Sequence, residues 1–67
     1  MKIYGLTALG KKAAKRGEGP PDEVRILEYM RGNRDSATDS ELDVVSGESG
    51  YLVRRLKSQR LIEELTG

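Results

Sequence analysis

The sequence predicts a mostly α-helical domain with a small two-stranded β-sheet, in the order β-α-α-α-α-β. Three observations lead there. Four segments place apolar residues at helical spacing between start and stop signals. Two short β-capable stretches, KIYGL and LIEEL, stand near opposite ends of the chain. Finally, 67 residues without a cysteine suit one domain, 1–67, with no covalent staple. A domain of this size buries only about 60% of its unfolded surface, so it depends on close helix packing.

The first strand is read at Lys2–Leu6, where Ile3 and Tyr4 suit extended backbone. Thr7 is a good N-cap for a basic helix, 7–16, and Leu9 and Ala13, four apart, are expected to share its buried face. Lys15 and Arg16 suit the negative end of that helix, and Gly17 stops it. GEGPP is a connector. The second helix starts near Pro21, with Asp22 and Glu23 at its positive end. Val24, Leu27 and Met30, with Ile26 beside them, form its apolar stripe. Gly32 ends it, and GNRDSA reads as loop.

Thr38 and Glu41 are spaced for a capping box, in which two side chains satisfy each other's backbone amides. In the short helix that follows, Leu42 and Val45 face inward and Gly47 is the stop. Either Ser46 or Ser49 is placed to cap the next helix, 49–60. Its Leu52, Val53 and Leu56 share one face, while Tyr51, Arg54, Arg55 and Ser58 fall on the other. Leu61–Leu65 is the second strand. A solitary strand in water is not stable, so the two terminal strands are expected to pair, antiparallel.

Charge is segregated. Residues 1–17 hold five basic residues and no acid, and residues 49–60 hold four and no acid. Between them, residues 18–48 hold nine acids against three arginines. If folding joins the two basic blocks, the molecule has a basic face and an acidic back. Two ordinary solvated helix faces account for the same pattern.

From Asp22 onward the chain resembles the winged helix-turn-helix family. The likeness is carried by DEVRILEYM, TDSELDVV, the turn SGESG, YLVRRLKSQR as recognition helix, and RLIEEL as strand entry. In that family a strand, a wing, a second strand and often a helix follow the recognition helix. Here KIYGLTALGKKAAK looks like that last strand and helix moved to the front, as in a circular permutation. Two departures stand out: the recognition segment is short, and Arg60 sits where the family often has glycine.

The resemblance implies a DNA-binding protein, a small prokaryotic transcriptional regulator with double-stranded DNA as partner. A helix fits the major groove, and its first turns reach base edges. That places Ser49, Tyr51, Arg54, Arg55 and Ser58 nearest the bases. Arg54 or Arg55 is the base reader, since a guanidinium donates two bonds to guanine. Ser49 is a candidate for a phosphate at the helix start. Lys57, Arg60, Lys11, Lys12 and Lys15 are candidates for phosphate contacts, which position without specifying. For the arginines the plain alternative is surface charge, and for Tyr51 a packed ring. One module covers little DNA, so a homodimer is the expected form. If the terminal strands did not pair within a chain, they could exchange between two.

Two other uses of the fold stay open: a protein-interaction or oligomerisation module, and RNA binding by the same basic face. Single-strand stacking would have only Tyr4, Tyr29 and Tyr51 to work with. An enzyme is not expected. There is no histidine and no cysteine, and no lysine-serine or lysine-threonine follows the glycines as in a phosphate loop. Glu63 and Glu64, adjacent on a strand, face opposite ways. No cofactor, metal site or small-molecule substrate is implied. With no apolar run near the roughly 20 residues that span a bilayer, and no leader pattern, a cytoplasmic protein without a membrane partner is expected.

Overall fold

The computed structural model describes residues 2–47 and 49–65. Its elements are β1 (Ile3–Leu6), α1 (Ala8–Arg16), α2 (Pro21–Gly32), β2 (Ser36–Thr38), α3 (Asp39–Ser46), α4 (Ser49–Ser58) and β3 (Ile62–Glu64). The expected pairing of the two terminal strands is present: β1 and β3 run antiparallel, with Tyr4 opposite Glu64, Gly5 opposite Glu63 and Leu6 opposite Ile62. The expected strand count is corrected, because β1 also pairs antiparallel with β2 on its other edge. The sheet has three strands in the order β2-β1-β3, and the element order is β-α-α-β-α-α-β.

The missed strand has a local cause. Arg34 and Asp35 both have φ of 61°, and the Ser36 amide donates to the Asn33 carbonyl at 3.3 Å. Two successive positive φ values inside a four-residue turn are the mark of a type I′ turn, normally announced by Asn-Gly or Asp-Gly. Here no glycine announces it. The Asn33 side chain donates to the Ser36 carbonyl at 2.8 Å, and the Leu6 amide donates to the Asp35 carbonyl at 2.8 Å. These bonds turn the segment read as loop onto the free edge of β1.

The helix ends follow their capping chemistry. Thr7 Oγ1 accepts from the Gly10 amide at 3.0 Å, and Gly17 closes α1 at φ 66°. Thr38 and Glu41 form the capping box of α3. The last helix stops at Ser58 rather than Arg60. The Arg60 amide donates to Lys57 and the Leu61 amide to Leu56, both at 2.9 Å. That bond pair is a Schellman motif, which requires a left-handed residue just past the helix. Arg60 takes that role at φ 61°, in the position where glycine is the easy choice.

Ile26, Leu27, Met30, Leu42 and Leu56 are fully buried, with Tyr4, Leu6, Ala14, Ala37, Leu52, Val53 and Ile62 completing the core. Leu9 is corrected: it is 53% exposed, and α1 turns Gly10 and Ala14 inward instead. Gly10 fixes that rotation. A Cβ there would lie 1.9 Å from the Leu61 carbonyl oxygen, so only glycine lets α1 approach so closely. Thr7 completes the junction, its amide donating to the Leu61 carbonyl at 3.1 Å and its hydroxyl to the Arg60 carbonyl at 2.6 Å. No helix among the described residues is long and apolar enough to cross a membrane.

Candidate nucleic-acid interface

α4 is anchored by Leu52, Val53 and Leu56 and shows its other side to solvent. Tyr51, Arg54 and Ser58, at i, i+3 and i+7, make one outward stripe, and all three are exposed. Arg55 lies about 100° round the helix from Arg54. That turn carries it to the α2 flank, where its Nε meets Glu23 Oε2 at 3.3 Å. Its Nη1 donates to the Tyr51 hydroxyl at 3.4 Å, and its guanidinium sits 5.8 Å from the Tyr51 ring centroid. The hydroxyl bond first, and the Glu23 charge after it, raise the pKa of Arg55 further.

The two arginines left open as base readers are therefore unlike. Arg55 is held in a chain of contacts, whereas Arg54 makes no ion pair with a described residue. Ser49 is not on the open surface. Its side chain is buried and its hydroxyl donates to the Asp43 carboxylate. It opens α4 as a strut to α3, and the Ser46 hydroxyl likewise donates back to the Leu42 carbonyl at 3.1 Å.

Beside the outward stripe runs a groove of about 490 Å³ between α4, α3 and the start of β1. Lys2, Arg54 and Lys57 border it, facing Asp39 and Asp43. Lys57 also reaches Glu64 at 3.6 Å. Lys2 belongs to this cluster although its sequence context marked it only as the start of a strand. The basic residues of α1 do not line the groove. Lys11 pairs with Asp35 at 3.6 Å, at the Leu6 end of β1, and Lys12, Lys15 and Arg60 are exposed. Head and tail do meet, but the groove lies toward the Lys2 end of β1 and α1 starts beyond its Leu6 end.

Glu23 is the site residue that sequence reasoning missed. It reads as a helix-dipole carboxylate, yet it is only 5% exposed, and its second oxygen accepts from Gln59 Nε2 at 2.9 Å. Nothing in its neighbours along the chain signals this, because its partners, Arg55 on α4 and Gln59 just past its end, are far away in sequence. Another polar cluster joins α2 to α3: Tyr29 donates to Glu41 Oε2 at 2.6 Å, and Asn33 Nδ2 donates to the same oxygen at 3.1 Å. The Tyr29 bond chiefly, and the Thr38 amide next, hold the Glu41 carboxyl below its ordinary pKa, and the same bond raises that of Tyr29. With Tyr4 buried and Tyr29 engaged, Tyr51 is the one tyrosine that offers an exposed ring. Among the described residues no cluster of acidic side chains is arranged to hold a metal ion.

Compared with known protein families, curated proteins and solved structures, the chain matches none.

Proposed function

We propose that the chain is a double-stranded DNA-binding protein of the winged helix type, a small transcriptional regulator that lays α4 in the major groove. One observation carries this reading: α4 has no acid of its own, three apolar residues hold its inner side, and Tyr51, Arg54 and Ser58 stand out from it. A helix displayed this way matches the width of the major groove, and an arginine at its centre suits the O6 and N7 of guanine. The neighbouring strands support the family likeness. β3 leaves α4 and lies beside β1, which leads into the basic helix α1, so recognition helix, strand, strand and basic helix follow one another in space. Lys12, Lys15 and Arg60 then meet phosphates past the end of α4, positioning without specifying. Since β1 and β3 pair within the chain, strand exchange is not needed, and a dimer would serve affinity by engaging two half-sites.

Titration of a labelled duplex at two salt concentrations tests the reading. Binding that weakens as salt rises, and weakens by about tenfold or more in Arg54→Ala, is the expected outcome. No binding at low salt removes it. A second reading is favoured by the acidic wall of the groove, Asp39 and Asp43, and by Val44, which is 87% exposed beside them on α3. These suit a protein partner. In that case α3 would respond to the partner while duplex DNA left α4 unchanged.

A further inference from the structure

The buried carboxylate of Glu23 does something the DNA reading does not use. One oxygen goes to α4 and the other to the residue just past its end: Oε2 to Arg55 Nε at 3.3 Å and Oε1 to Gln59 Nε2 at 2.9 Å. Arg55 and Gln59 are one helical turn apart, so a single carboxylate fixes the rotation of α4 against α2. Arg55 is held in turn over the Tyr51 ring. Its side chain is half exposed, but swinging it toward a phosphate would strip a buried carboxylate of its cation. Breaking a buried pair on one side is strongly unfavourable, because the remaining charge stays desolvated. Arg54 carries no such tie to a described residue and stands at the centre of the outward stripe.

We propose that Glu23 is a positioning residue that masks Arg55 from DNA and sets α4 so that Arg54 is the arginine that engages the duplex. This deepens, and rests on, the DNA-binding reading. It predicts that Arg55, although it lies in the recognition helix, contributes nothing to counterion release.

The test is the salt dependence of binding to one generic duplex, measured for the full chain and four variants, with far-UV circular dichroism to establish folding. Each cation that neutralises a phosphate steepens the fall of log affinity with log salt by about 0.9. Arg55→Met keeps the unmodified slope even if its affinity changes, and Arg54→Met makes it shallower by about 0.9. Glu23→Gln keeps the side-chain shape but frees the guanidinium, so its slope steepens by up to about 0.9. Adding Arg55→Met to Glu23→Gln returns the slope to that of the unmodified chain. A merely structural role for Glu23 would lower the affinity of Glu23→Gln and leave its slope at that of the unmodified chain, which overturns the masking role. An Arg55→Met slope shallower by about 0.9 overturns the inference while leaving the DNA reading intact. Absence of salt-dependent binding by the unmodified chain removes both. If Glu23→Gln does not fold, the contrast between Arg55→Met and Arg54→Met decides.

Discussion

At Gly10 the space for a side chain is already occupied, since a Cβ would sit 1.9 Å from the Leu61 carbonyl oxygen. That atom is backbone and belongs to the junction with Thr7, so it cannot yield cheaply. Gly10→Ala is therefore expected to destabilise the protein by about 1–3 kcal/mol, against the usual helix preference for alanine, as a shift in the urea midpoint. Arg60 is the opposite case. It holds a left-handed φ that costs a non-glycine residue about 1–2 kcal/mol. Arg60→Gly relieves that strain but adds freedom to the unfolded chain, so a net gain of up to about 1 kcal/mol is expected from the same measurement. Loss of stability in Arg60→Gly would mean that the arginine side chain holds the turn.

Between elements, the α2–α3 contact depends on Tyr29, Asn33, Thr38 and Glu41. Glu41 is more acidic in the folded chain, so its stabilisation is present above the ordinary carboxylate pKa and is lost as pH falls through the lowered folded value. Tyr29 is less acidic in the folded chain, so its stabilisation is present below the ordinary tyrosine pKa and is lost as pH rises through the raised folded value. Chemical denaturation across pH should show a plateau between these limits, with an acid limb that Glu41→Gln flattens and an alkaline limb that Tyr29→Phe flattens. An unaltered profile in both variants would show that the bond contributes nothing to pH dependence. The elements themselves were largely legible. Thr7, Gly17, the Thr38–Glu41 box and Gly47 each announce a helix boundary through local chemistry, and each boundary lies where that chemistry puts it. β2 was not legible, because Arg34 and Asp35 make a turn that sequence normally advertises with glycine. The inward face of α1 was not legible either. Leu9 reads as buried by periodicity, but a backbone approach at Gly10 that no local pattern encodes turns it outward.

At the scale of the whole molecule, chain order and spatial order part company. β1, first in sequence, is the middle strand and receives both β2 and β3. Among the described residues this pairing gives each strand a partner within one chain. It also separates the cations into two groups: Lys2, Arg54 and Lys57 around the groove, and the α1 lysines past the other end of β1. The candidate site was half visible in advance. The outward stripe of α4 follows from helical periodicity, whereas burial of Ser49, the tie between Glu23 and Arg55, and the place of Lys2 all depend on contacts between distant segments. Backbone amide shifts of the isotope-labelled chain on adding a generic duplex show whether α4 is the surface that meets DNA. Changes concentrated at Tyr51, Arg54 and Ser58, extending to Lys2 and fading as salt rises, are the expected result. Changes confined to residues 22–43, with α4 silent, would contradict it.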